Sequence, residues 1–185
     1  MEFILYLEPA PESDLCVSIK DYFSLSSQLY TPNEAHQYPP HVSLTGFWTM
    51  PEYLIENYIE TLSTLIPTES KIKVSTPMKT DVPGFILPVE LDANTKEFAA
   101  RFKEMNCAEG HRIRLKNANH ISLDYGKAYE FSSEREAQVT NFFRNINMEC
   151  TDWNIVFYER RAKSDNVSIP HQFHEIARWN LNIHI

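Results

Sequence analysis

Hydrophobic and polar positions along the chain follow two periods, and the period changes from one segment to the next. Phe3 to Glu8 is an almost unbroken apolar run halted by Pro9 and Pro11, which predicts a buried strand. Behind the capping residues Ser13 and Asp14, apolar positions recur at Leu15, Ile19, Tyr22, Phe23 and towards Leu29, the spacing of a helix. Thr31 to Pro40 is punctuated by Pro32, Asn33, Pro39 and Pro40 and reads as a loop. His41 to Trp48 reads as one strand. Pro51 then opens a helix to about Leu65, with Leu54, Tyr58, Leu62 and Leu65 on one face. Lys71 to Thr76 and Gly84 to Leu91 read as strands, and Thr76 to Val82 as a crossing between lobes.

The second half repeats this order. A helix is expected from Asn94 or Thr95 to about Met105, then strands Arg112–Lys116 and Asn119–Tyr125. Ser132, with Glu134 and Glu136 in the first turn, caps a helix to about Ile146. Trp153–Arg161 and Glu175–Ile185 close the chain as strands, joined by a polar loop from Ser164 to His171. Strands and helices are mixed, with hairpin-like neighbours near the end. That pattern predicts an α+β fold with mostly antiparallel sheets and helices outside. No linker divides the chain, so residues 1–185 are expected to form a single domain.

Composition narrows the function. The formal net charge is −8 and no basic run occurs, which disfavours a grip on long DNA or RNA. A nucleotide or a short oligonucleotide end in a local pocket stays compatible with that charge. No apolar run is long enough to span a membrane. Met1-Glu2-Phe3 lacks the basic start of a secretory signal, and Cys16, Cys107 and Cys150 are widely spaced, so a cytoplasmic protein with reduced thiols is expected. With 4 glycines and no glycine-rich phosphate loop, the usual nucleotide cradles are absent from the sequence. Nothing in it bears on oligomeric state.

One motif stands out. His41-Val42-Ser43-Leu44 recurs as His120-Ile121-Ser122-Leu123. With 7 His, 14 Ser and 14 Leu in 185 residues, composition alone predicts about 0.02 copies of His-apolar-Ser-Leu. On a strand, residues two apart share a face. His41 and Ser43 therefore point one way, as do His120 and Ser122, while Val42, Leu44, Ile121 and Leu123 point into the core. Each strand offers an imidazole and a hydroxyl roughly 7 Å apart along the backbone. Two imidazoles at one pocket suit phosphoryl transfer by general acid and base without a metal. Hydroxyls beside them can hold the phosphate oxygens.

The paired motifs resemble those of the 2H phosphoesterase superfamily, which carries two tandem H-x-[ST]-x motifs. The resemblance spans nearly the whole chain. It implies an internally duplicated, bilobal α+β fold whose two sheets form a central cleft, each lobe bringing one motif. It also implies that His41 and His120 are the catalytic pair, that Ser43 and Ser122 bind the phosphate, and that neither cofactor nor metal is needed. The implied reaction is hydrolysis of 2′,3′-cyclic phosphates of nucleotides or RNA ends. A 2′,5′-oligoadenylate phosphodiesterase, or a non-catalytic nucleotide-binding module retaining the fold, are the alternatives. Intact His and Ser in both halves speak against the latter. The segment Trp153 to Arg160 also resembles the end of the phosphodiesterase domain of T-cell ubiquitin-ligand proteins.

Around the motifs, Thr45 and Phe47 fall on the His41 face, and Phe47 is a candidate to stack on a base. Tyr6 and Tyr38 are further candidates for contact with substrate. Arg112, Arg114 and Lys116 alternate ahead of the second motif, as a phosphate clamp or a solvated face. Asp124 follows Ser122 on one face and either orients His120 or ends the strand. His171 and His174, with no third ligand at a suitable spacing, read as surface residues. His36, His111 and His184 read the same way. Of Arg178 and Trp179, on opposite faces of the last strand, one is expected to reach the cleft.

Overall fold

The computed structural model describes residues 1–81, 84–107, 112–126 and 132–181. Its strands form two antiparallel sheets. In the first, β1 (Glu2–Pro9) pairs on one edge with β2 (Val42–Ser43) and β3 (Trp48–Thr49). On its other edge lies β8 (Trp153–Ala162), followed by β9 (Gln172–Asn180). In the second sheet, β6 (Gly84–Leu91) pairs with β4 (Ile72–Val74) and β5 (Met78–Lys79) on one side and β7 (His120–Tyr125) on the other. The expected α+β class with antiparallel sheets therefore holds. The sheets are not the two halves of the chain: β8 and β9 return to flank β1, and the middle of the sequence builds the second sheet.

Among the described residues four α-helices flank the sheets: α1 (Asp14–Leu29), α2 (Ile55–Leu65), α3 (Ala93–Cys107) and α4 (Ser133–Phe143). The caps expected from sequence are made. Ser13 Oγ accepts from the Cys16 N–H at 3.2 Å and Ser132 Oγ from that of Arg135 at 3.2 Å. Trp48 ties α2 and α3 to the first sheet. Its ring stacks on Phe157 at 5.8 Å and 0° and on Tyr58 at 6.3 Å and 19°, and meets Phe102 edge-on at 5.9 Å. On the other side Tyr22 of α1 packs on Phe142 and Phe143 of α4 at 5.5 and 5.4 Å. Each fully buried ring contributes about 1.5–3 kcal/mol from removal of apolar surface from water. No helix among the described residues is long and apolar enough to cross a membrane.

Several boundaries differ from expectation. The strand expected over His41–Trp48 is broken into β2 and β3. Tyr6 faces Ser43 but Phe3 faces Trp48, so the register moves by two residues across a bulge at 44–47. Within it, the Leu5 carbonyl accepts from both Leu44 N–H (3.1 Å) and Thr45 N–H (3.4 Å). Thr45 Oγ1 in turn accepts from the Leu5 N–H at 3.0 Å. Thr45 is thus fully buried instead of sharing the His41 face. In place of a strand, Arg112–Lys116 makes one antiparallel bridge, Leu115 to Thr45. Of Thr76–Val82, Met78 and Lys79 form a hairpin edge and not a lobe crossing, and Val82 lies outside the described residues. A 3-10 turn (Glu52–Leu54) precedes α2 after Pro51. Helix α4 stops at Phe143, short of Ile146. The last strand begins at Gln172, because Phe173 and His174 still pair with Arg160 and Glu159; residues 182–185 lie outside the described set.

Candidate active site

The edge strands β2 and β7, one from each sheet, border a single cavity of about 750 Å³. His41, Ser43, His120 and Ser122 all line it. The alternation explains why: Val42 and Leu44 on the first strand, and Ile121 and Leu123 on the second, are buried in the main core. Their burial turns the intervening polar side chains to the opposite face. The sequence repeat thus becomes a spatial pair.

The first imidazole is held on three sides. Its Nδ1–H donates to the Pro39 carbonyl at 2.7 Å. That bond fixes the tautomer and leaves Nε2 as an acceptor, which receives the Ser43 hydroxyl at 3.0 Å. The ring lies on that of Tyr6, centroids 3.7 Å apart at 29°. Pro39 and Pro40 ahead of β2 stiffen the backbone that supplies the carbonyl. Burial pushes the His41 pKa down to about 4; the bond to Pro39 opposes the shift and the nearby His120 adds to it. At neutral pH the His41 ring is uncharged.

The second imidazole uses the same device on an exposed rim. His120 Nδ1–H donates to the side-chain oxygen of its neighbour Asn119 at 2.8 Å. Asn119 follows Ala118, a non-glycine residue at φ 49°. Such a left-handed conformation costs on the order of 1 kcal/mol in a residue with a Cβ. The Val89 N–H donates to the Asn119 carbonyl at 2.7 Å and anchors this backbone to β6. Burial foremost, and then Lys116, lower the His120 pKa.

Part of the cavity wall is aromatic and backed by a second cluster. Ile4, Tyr6, Val156 and Tyr158 form a second buried cluster, against which Tyr38, Phe47 and Phe173 pack. Phe47 stacks on Phe173 at 6.4 Å and 15°, and the Arg160 guanidinium covers the Phe47 ring at 3.8 Å. Tyr6, Tyr38 and Phe47, the expected substrate contacts, all line the cavity.

Other expectations need correction. His171 is buried at 8% exposure, not a surface residue. Its Nδ1 accepts from the Ser164 N–H at 3.1 Å, and its Nε2 meets the Tyr38 hydroxyl at 3.1 Å. His174 is exposed, and no group of three potential metal ligands occurs among the described residues. His36 is no free surface residue either: its side chain is 6% exposed, with Nε2 3.3 Å from Asp124. His111 and His184 lie outside the described residues.

Asp124 does not bond to His120. Its buried carboxylate accepts from the Tyr22 hydroxyl, from Ser26 Oγ at 3.1 Å and from Asn33 Nδ2 at 2.6 Å. It thereby fastens α1 and the Asn33–Gln37 turn to β7. Sequence reasoning missed this network because its members lie about half the chain apart; the buried acid in a motif strand was the only local signal. Arg112 does not line the cavity, whereas Arg114 and Lys116 do. Neither residue of the last-strand pair reaches it. Arg178 binds Glu175 and Glu8, whose pKa burial raises to about 7, and Trp179 Nε1 donates to Ser63 on α2 at 3.1 Å.

No protein-family model matches the chain. Ubiquitin-associated and SH3 domain-containing protein B of mouse and of human are each 25% identical to it over 174 residues. The alignment covers 89% of this chain but 26% of theirs, so the chain spans about a quarter of the length of the curated relatives it matches. Among solved structures, the crystal structure of E. coli LigT in apo form matches with a TM-score of 0.55 and 9% identity, over 98% of this chain and 99% of that one. At that identity the likeness is one of fold: the two antiparallel sheets and outer helices described above are a LigT-like arrangement.

Proposed function

We propose that the chain is a phosphodiesterase of the 2H phosphoesterase type, hydrolysing 2′,3′-cyclic phosphates of nucleotides or RNA ends by two-histidine general acid–base catalysis. The observation that carries this reading is the convergence of two imidazoles on one cavity, each with Nδ1–H donated to an oxygen and each accompanied by a serine two residues on. The LigT-like fold agrees with it.

In this reading the phosphate lies between β2 and β7. Ser43 turns its hydroxyl from His41 to a non-bridging phosphate oxygen, which frees Nε2, and Ser122 binds from the other side. One neutral imidazole takes a proton from water as the water oxygen bonds to phosphorus. The bond from phosphorus to the 2′ or 3′ oxygen breaks, and the other imidazole, protonated, gives that oxygen its proton. The product is a phosphomonoester beside a restored hydroxyl, and exchange with solvent resets the two rings. Tyr38 offers a face on which the base stacks, and Phe47, covered by Arg160, borders it. Because both proton transfers belong to side chains, turnover requires no resident metal.

The test is a panel of 2′,3′-cyclic mononucleotides and 2′,5′-linked adenylates, with phosphomonoester release followed in the presence of EDTA. An undiminished rate on the cyclic substrates is expected. Loss on chelation would move the reaction to a metal, and hydrolysis of the 2′,5′ linkage alone would move the substrate class.

A further inference from the structure

Outside the histidine–serine pairs, one part of the cavity carries charge without a counter-charge. Arg114 and Lys116 flank Leu115, which bridges to Thr45 in the bulge of the other sheet. The Gly46 N–H donates to the Arg114 carbonyl at 2.7 Å and the Lys116 N–H to the Leu44 carbonyl at 3.0 Å. The segment's backbone is thus pinned, and both side chains, two residues apart, line the cavity. Gly46 leaves room for the guanidinium: a Cβ there would stand 3.3 Å from Arg114 Nε and 3.4 Å from Nη2.

Elsewhere Arg101, Arg160, Arg161 and Arg178 each sit within 4.0 Å of a carboxylate. Arg114 and Lys116 have no such partner among the described residues. Asp124 is the only carboxylate among the described residues lining the cavity, and its oxygens are already engaged by Tyr22, Ser26 and Asn33. In a chain of net charge −8 this is a local positive field in the cavity wall. Lys116 and His120 line the same cavity, and the ammonium disfavours protonation of the ring. Arg114 extends the positive edge by roughly 7 Å along the backbone. A single phosphodiester bears one charge and occupies the His–Ser site. The second cation has work only if the ligand brings a second anion.

We propose that Arg114, with Lys116, forms a second phosphate subsite, so that this chain prefers substrates carrying another phosphate near the reacting one: an oligonucleotide end over a mononucleotide. The proposal rests on the phosphodiesterase reading for its substrate but not for its binding prediction. The second phosphate can come from the preceding nucleotide or from a 5′-phosphate on the same nucleoside.

Three substrates separate these sources: a nucleoside 2′,3′-cyclic phosphate, its 5′-phosphorylated form, and a trinucleotide ending in the same cyclic phosphate. The trinucleotide is expected to show kcat/KM at least ~10-fold above the plain mononucleotide, about the size of one charge-assisted bond. In Arg114→Gln that ratio should fall towards 1, and it should shrink in wild type as salt rises from roughly 50 to roughly 200 mM. A 5′-phosphorylated mononucleotide matching the trinucleotide would identify the 5′-phosphate as the source. Equal kcat/KM for all three, or a ratio unmoved by Arg114→Gln, would overturn the subsite. Binding is measured in parallel with the non-cyclic products, a nucleoside monophosphate and a trinucleotide with a terminal phosphate. Tighter binding of the trinucleotide that is lost in Arg114→Gln, without turnover of any cyclic substrate, would keep the subsite and sink the catalytic reading. Turnover of all three at equal kcat/KM would do the reverse.

Discussion

The two motif strands share a tetrapeptide pattern but sit in different surroundings. His41 emerges from a proline-stiffened turn, rests on the Tyr6 ring and donates to a backbone carbonyl. His120 stands on an open rim and donates to the side chain of Asn119, which follows a left-handed alanine. The same hydrogen bond, Nδ1–H to oxygen, is therefore made rigidly on one side and adjustably on the other. Tautomer is what the pair has in common; burial and the kind of acceptor are what differ. Function is asked of the common part, so perturbations of the differing parts should have graded effects.

The largest effect is expected from removing either ring. His41→Ala and His120→Ala should each lower kcat on a cyclic mononucleotide by at least ~10²-fold with a nearly unchanged melting curve, and a variant with full turnover would exclude its residue from the chemistry. On the proposed reading, Ser43→Ala and Ser122→Ala remove hydrogen bonds to the phosphate and should each cost roughly 10–100-fold in kcat/KM. If Ser43→Ala were silent, the hydroxyl would serve only to occupy Nε2 in the empty cavity.

The asymmetry itself is tested at Asn119. Asn119→Ala frees the His120 tautomer and should cost about 10-fold in kcat. No comparable side-chain change exists for His41, whose acceptor is backbone. The pH dependence follows from burial. Both imidazoles have pKa values below the ordinary 6.5, with His41 near 4, so an acid–base pair made of them would hold one ring neutral and the other protonated in an acidic window. The bell in kcat/KM should therefore centre on the acid side of 6.5, its acid limb set by protonation of the base and its alkaline limb by deprotonation of the acid. A bell centred above 7 would show that the cavity does not depress the pair. The smallest change is Ala118→Gly, which relieves the left-handed alanine at the expense of a floppier unfolded chain, and should alter stability by less than about 1 kcal/mol.

Much of this site was legible in the chain, and the limits of legibility have physical causes. Strand periodicity made the repeated tetrapeptide meaningful, because Val42, Leu44, Ile121 and Leu123 had to point inward. The bulge at 44–47 was not legible. Thr45 fits the alternating pattern, and only its tertiary contacts with Leu5 and Leu115 show that it leaves the cavity face. His36 and His171 were misjudged, and the partners of Asp124 missed, for a related reason. Polar residues read as exposed until a partner is known, and their partners here are long-range or lie in loops: Asp124 meets Tyr22 and Asn33, and His171 meets Tyr38. Local pattern identifies which side chains share a face; it does not report which buried charges have been satisfied from another element.

The most direct test of the account is the double variant His41→Ala/His120→Ala compared with each single variant on one 2′,3′-cyclic nucleotide. If both rings serve one phosphorus, removing the second adds little, and the double variant should be within about tenfold of the slower single. Losses that multiply across the two positions would mean that the imidazoles act independently, and the shared cavity would not be the seat of the chemistry.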